Sequence, residues 1–87
     1  MTHVYELDGN QMQNSAQAHA YLKENLNLPD YYGMNADALF DCLTEDSREV
    51  LIWLNSSDKI DKKILKVFEE ASQENPFITI VEIEDDE

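Results

Sequence analysis

The sequence predicts an α/β fold in which three parallel strands alternate with helices. Three observations carry this. Val50-Leu51-Ile52-Trp53-Leu54 is apolar without alternation, the pattern of a strand covered on both faces in the middle of a parallel sheet. Segments rich in β-branched and aromatic residues stand at either end, HVYEL at residues 3–7 and FITIVEI at 77–83. Stretches with helical spacing separate these strands, which implies parallel pairing through right-handed crossovers. The 87 residues suffice for a single domain, 1–87, with one modest core.

The elements follow in order. After the first strand, Asp8-Gly9-Asn10 is a turn. Asn14 or Ser15 caps a helix running to about Asn25, with Ala18, Tyr21, Leu22 and Leu26 on its apolar face. Pro29 blocks its continuation. Gly33 permits a backbone turn that other residues resist, and Asn35 then caps a short helix of roughly Ala36 to Leu43. The middle strand is followed by a long helix starting at Ser57 or Asp58. Ile60, Ile64, Val67, Phe68 and Ala71 keep helical spacing there, and Asn75-Pro76 ends it. The closing strand alternates only from Glu82.

Charge narrows the function. Nineteen acids against six bases give a net charge of −13, which repels nucleic acid and anionic membranes and suits a basic protein partner. No apolar run approaches the length of a membrane span and no stretch reads as a secretory leader. Cys42 is the sole cysteine, so no internal disulfide forms and a cytoplasmic location is expected. Asp41 adjoins it where a nucleophile would need a cation, so Cys42 reads as structural. His3 and His19 have no metal-ligand spacing and read as strand-end and helix-surface residues. No cofactor or metal is expected. Two carboxylates on one exposed helix face, with no cleft, do not make a glycosidase, so the chain is not read as an enzyme.

The acids are unevenly placed. From Lys23 to Arg48 there is no intervening Lys or Arg, while Glu24, Asp30, Asp37, Asp41, Glu45 and Asp46 fall in that interval. Four of the five lysines cluster at Lys59, Lys62, Lys63 and Lys66, and Glu82 with residues 84–87 forms an acidic end that reads as solvated. On the short helix, Ala36, Leu39 and Leu43 mark the core side at about 100° per residue, and Asp37 and Asp41 share another side with Phe40 between. Asp41 lies near the helix C-terminus, where the dipole disfavours an anion, and it repels Asp37. The long helix carries lysines at its start and Glu69, Glu70 and Glu74 at its end, again against the dipole. A cationic pocket on another molecule would reverse these penalties. Of Tyr31 and Tyr32, one is expected in the core and one at a contact.

The stretch YYGMNADALFDCLT, with the preceding Leu28-Pro29, resembles the signature segment of barstar, the intracellular inhibitor of the ribonuclease barnase. The family pattern is Leu-Pro-x-Tyr-Tyr-Gly-x-Asn-x-Asp-Ala-Leu-Trp-Asp-Cys-Leu-Thr. VFEEA and FITIVEI resemble the family's last helix and closing strand. The resemblance implies a barstar-like three-stranded parallel sheet of order 1-2-3 flanked by helices. It also implies that the short helix and its preceding loop fill the active site of a basic secreted ribonuclease, acids standing in for substrate phosphates. By the same resemblance Asp41 is the chief acidic anchor and Asp37 the second. Tyr31, Gly33, Asn35 and Thr44 match interface positions, Phe40 stands at a contacting aromatic, and Glu70 matches a supporting acid.

Departures from the pattern alter the rim of this surface. Phe40 replaces a tryptophan, Met34 a common acid and Ala36 a larger apolar residue, and Glu45-Asp46 stand where the family has Gly-Trp. The expectation is a monomer when free, binding a ribonuclease or related nuclease toxin. The alternative is an acidic module that imitates nucleic acid before a different nuclease toxin or a basic regulator.

Overall fold

The structure, a computed structural model, describes residues 2–45 and 47–84; Asp46 and the acidic end at 85–87 lie outside the described residues. The order is β1 (His3–Asp8), a 3-10 turn (Gly9–Gln11), α1 (Ser15–Asn25), α2 (Ala36–Glu45), β2 (Val50–Asn55), a second 3-10 turn (Ser57–Lys59), α3 (Lys62–Glu74) and β3 (Ile78–Ile83). The sheet has order β1-β2-β3 and both pairings are parallel, with Tyr5, Ile52 and Ile80 at one level. This is the α/β sheet that the sequence predicted.

Each helix begins where a side chain supplies the first bond. Asn14 Oδ1 accepts from the Gln17 amide at 2.9 Å and Asn35 Oδ1 from the Ala38 amide at 2.8 Å, satisfying donors that have no partner inside the helix. The long helix starts later than expected. Asp61 is its cap, accepting from the Lys63 amide at 3.1 Å, and Ser57–Lys59 forms a separate 3-10 turn. Ile60 is extended, at φ −71 and ψ 137, so it breaks the helical path while its side chain stays buried.

The core lies on one side of the sheet. Leu7, Val50, Ile52, Leu54 and Ile78 point into it and meet Ala18 and Leu22 of α1, Leu39 and Leu43 of α2, and Ile64, Val67, Phe68 and Ala71 of α3. The expectation that β2 is covered on both faces is therefore corrected. Its residues alternate between buried and half-buried, and the outward set, Leu51 and Trp53 with the 58% exposed Val4 of β1 beside Leu51, stands apart from the core. Handedness explains this. In order β1-β2-β3 both crossovers run the same way, and two right-handed crossovers in one direction place every helix on one face.

Gly9 closes the top of the sheet. A Cβ there would lie 2.1 Å from the Ser56 carbonyl oxygen and 2.7 Å from that of Asn55. Both obstacles are backbone, so no rotamer change relieves them. Gly9→Ala is expected to destabilise the fold by about 1–3 kcal/mol, read as a lower urea midpoint; an unchanged midpoint would contradict this packing.

Candidate functional site

The site is built on α2 and the loop before it. The loop leaves α1 through Asn27, at φ 53, and turns where the Tyr32 amide donates to the Pro29 carbonyl at 2.9 Å. Consecutive tyrosines then face opposite ways. Tyr32 is 5% exposed and Tyr31 is 88% exposed. The sequence left their roles open; the structure makes Tyr32 the core residue.

Tyr32 is held by His19 of α1. Its hydroxyl lies 2.5 Å from His19 Nδ1, and the rings stand 5.8 Å apart at 54°. His19 is 2% exposed, which corrects its expected place on the helix surface: the imidazole is a polar partner inside the core. Burial pulls its pKa below the ordinary value and outweighs the opposing effect of Asp61. Burial, with a smaller contribution from Cys42, pushes Tyr32 up to about 12. We therefore assign the Tyr32 hydroxyl as donor to a neutral imidazole.

Gly33 is not the left-handed residue of this turn; Met34 is, at φ 55, and no glycine has positive φ. Gly33 instead accommodates its neighbour. A Cβ on it would sit 3.2 Å from Asn35 Nδ2, the atom that donates to the Gly33 carbonyl at 3.1 Å. Asn35 thus clamps the turn with one end of its amide and starts α2 with the other.

Leu39 and Leu43 are buried and set the rotation of α2. Asp37 and Asp41 are consequently exposed. Asp37 and half-buried Phe40 line a depression of about 350 Å³ between α2 and α3, together with Ala36, Val67, Glu70, Gln73 and Glu74. No lysine or arginine is in that lining. Glu70 of α3 is thereby brought into one depression with Asp37 and Phe40. Glu74 enters the same depression, one turn further along α3. The sequence marks Glu74 only as an acid set against the helix dipole; its i, i+4 spacing from Glu70 was the signal available.

Other candidates lie outside this depression. Tyr31 lines a separate cavity of about 240 Å³ on the far flank of α2, with Leu28, Pro29, Cys42, Glu45 and Arg48. At about 100° per residue, Asp41 falls on the crest between the two flanks. Thr44 is half-buried, and its hydroxyl donates to the Phe40 carbonyl at 2.8 Å, so that proton is used within the helix. Burial, then Glu45 and Asp41, pushes the Cys42 thiol up, the opposite of what a thiolate nucleophile needs. Among the described residues no group of three His, Cys, Asp or Glu side chains is placed to hold a metal, and no helix is long and apolar enough to cross a membrane.

Asn75 locks α2 to α3. It is 4% exposed, and its Nδ2 donates to the Leu43 carbonyl at 3.0 Å while its Oδ1 accepts from the Phe77 amide at 3.0 Å. The C-terminal turn of α2, the end of α3 and the start of β3 share this one side chain. The sequence showed Asn75 only as a helix stop.

The model of the family described as Barstar (barnase inhibitor) matches residues 2–82. The chain belongs to the barstar family. The Bacillus subtilis (strain 168) protein named "Putative ribonuclease inhibitor YrdF" is 53% identical over 38 residues. That match spans 44% of this chain and 42% of that protein. The barstar family model covers all three strands and all three helices, except the last residue of β3.

The His19–Tyr32 pair makes stability depend on pH. An unfolded imidazole takes up a proton near about pH 6.5, while the buried native one does so at lower pH. Between those values the unfolded state binds more protons at this site, so the His19 contribution to stability is lost as pH drops below about 6.5, while Glu82, whose pKa is pushed up, contributes in the opposite sense. In the folded chain the His19 imidazole resonance should titrate below that value; titration at or above it would contradict the buried contact. Tyr32→Phe, which strands Nδ1, should cost about 1–3 kcal/mol in denaturant unfolding.

Proposed function

We propose that this chain is a protein inhibitor of a basic ribonuclease, acting by insertion of α2 into the enzyme's cationic groove. The observation that carries the reading is the depression that gathers Asp37, Phe40, Glu70 and Glu74 without a basic side chain in its lining, beside exposed Asp41 on the helix crest. Family membership supports it, as does the name of the Bacillus subtilis relative.

The geometry suggests a division of roles. A convex helix is flanked by two hollows, so the enzyme's groove takes the ridge while its rim enters the hollows. Asp41, at the crest, reaches deepest and is the principal anchor. Asp37 and Glu70 hold cations that line one wall, and Phe40 excludes water between them. Tyr31, exposed on the other flank, closes the opposite wall. Gly33 and Asn35 shape the entry turn, and Thr44 offers its hydroxyl oxygen as an acceptor. Buried, water-excluded anchors of this kind dominate interface energies.

The acids repel one another in the free protein, and a cationic site relieves that repulsion on binding. Long-range attraction from the net charge of −13 steers the encounter. In this reading the chain works in the cytoplasm as a monomer, on an enzyme otherwise destined for export, and carries out no chemistry itself.

Asp41→Ala should weaken binding to a barnase-type ribonuclease by more than about 2 kcal/mol in calorimetry or inhibition assays. A loss under about 1 kcal/mol would remove Asp41 from the anchor class. Raising ionic strength should slow association far more than it speeds dissociation; association indifferent to salt would contradict the steering.

A further inference from the structure

We propose that the uncovered face of the sheet is a second docking surface, separate from the α2 site, and that it takes a cationic amphipathic helix of a partner protein. The register places three levels of side chains on this face. Val4, Leu51 and Thr79 form the first, Glu6, Trp53 and Val81 the second, and Asp8, Asn55 and Ile83 the third. Val4 and Ile83 are exposed, while Leu51, Trp53 and Val81 are half-buried and stand outside the core. Phe77, 50% exposed, adds to the lower end, where it lines a hollow of about 280 Å³ with Leu51, Pro76 and Thr79.

The apolar set runs diagonally, from Val4 and Leu51 through Trp53 and Val81 to Ile83. The β1 side of that diagonal is acidic, with Glu6 and Asp8 at the second and third levels. No lysine or arginine occupies any of the nine register positions. Parallel sheets are ordinarily covered on both faces, the second layer being helical. Here all helices among the described residues lie on one face, so the second layer is what the fold lacks.

Size and charge select the occupant. Strands of six residues make a face roughly 20 Å long, and three strands make it about 10 Å wide between outer axes. That is a few hundred Å² at most, against about 800 Å² per partner in a stable protein pair. Two copies face to face would also each bring a charge of −13 to a small apolar contact. A single helix fits better: about 13 residues span roughly 20 Å at about 1.5 Å per residue. Its apolar stripe lies on the diagonal, and lysines or arginines along one flank meet Glu6 and Asp8.

Trp53 is the only tryptophan and sits at the centre of this face, so its emission reports occupancy directly. The probe is a blocked synthetic helix of roughly 16 residues with leucines on one face and lysines beside them. It should shift Trp53 emission to the blue, saturably, in the full chain. Glu6→Lys, an exposed change, and Val81→Lys should each weaken that binding about tenfold or more, with circular dichroism unchanged, while Asp41→Ala leaves it unaltered. Three results would overturn the proposal. The same peptide with glutamates for lysines could shift Trp53 equally, Asp41→Ala could weaken binding as much as Glu6→Lys, or the free chain could dimerise in sedimentation velocity with Trp53 emission following the dimer. Because Asp41→Ala separates the two surfaces, failure here leaves the ribonuclease reading standing, and failure of that reading leaves this one.

Discussion

Leu39 and Leu43 decide which way α2 faces, and the rest of the surface depends on that choice. Burying these two side chains against the sheet and α3 fixes the helix rotation, since hydrophobic burial is the largest favourable contribution available to so small a chain. Asp37 and Asp41 are then turned outward with no freedom to retreat, and Phe40 is held half-buried at the edge of the hollow beside α3. Asn75 adds a directional constraint that burial lacks. Its side-chain amide joins the end of α2 to the start of β3, so the acids of α2 and those of α3 keep one relative position. The backbone that carries these acids is thereby fixed before any partner arrives, which lowers the ordering cost of the proposed association.

Electrostatics runs against stability across much of this molecule. Glu70 and Glu74 share one face near the C-terminal end of α3, and Asp41 lies beyond the middle of α2, where the dipole is unfavourable. On the core side of the sheet Glu82 stands level with Leu54 and Leu7. Its pKa is pushed up by burial first, and then by a hydrogen bond with Glu69 and the charge of that residue. A core of seventeen buried apolar residues among those described sustains these penalties, and the acids cluster where α2 and α3 meet.

Much of this was legible because periodicity records burial. The strands, the helices, the caps at Asn14 and Asn35, and the core face of α2 all follow from spacing and from side chains that bond backbone amides. What the sequence hid were choices between equivalent neighbours. Tyr31 and Tyr32 are the same residue type one position apart, and the His19 partner that buries Tyr32 lies thirteen residues away. The turn at Gly33 and Met34 misled for a related reason: glycine permits a left-handed backbone without requiring it, and here the close approach of Asn35 decides. The start of α3 was missed because Ser57, Asp58 and Asp61 are all plausible caps, and an extended Ile60 selects the last. The apolar run of β2 suggested two covered faces, whereas strand order with right-handed crossovers allows one. Glu74 and Asn75 entered the site only through the packing of α3 on α2.

In the proposed reading α2 and its neighbouring acids, and not the open sheet, meet the ribonuclease. The most direct measurement is the amide shift map of the isotopically labelled chain as a barnase-type ribonuclease is added. Changes should concentrate in residues 31–44 and at Glu70 and Glu74, leaving Trp53 and Val81 unmoved. Changes centred on Val4, Trp53 and Val81, with α2 silent, would contradict it.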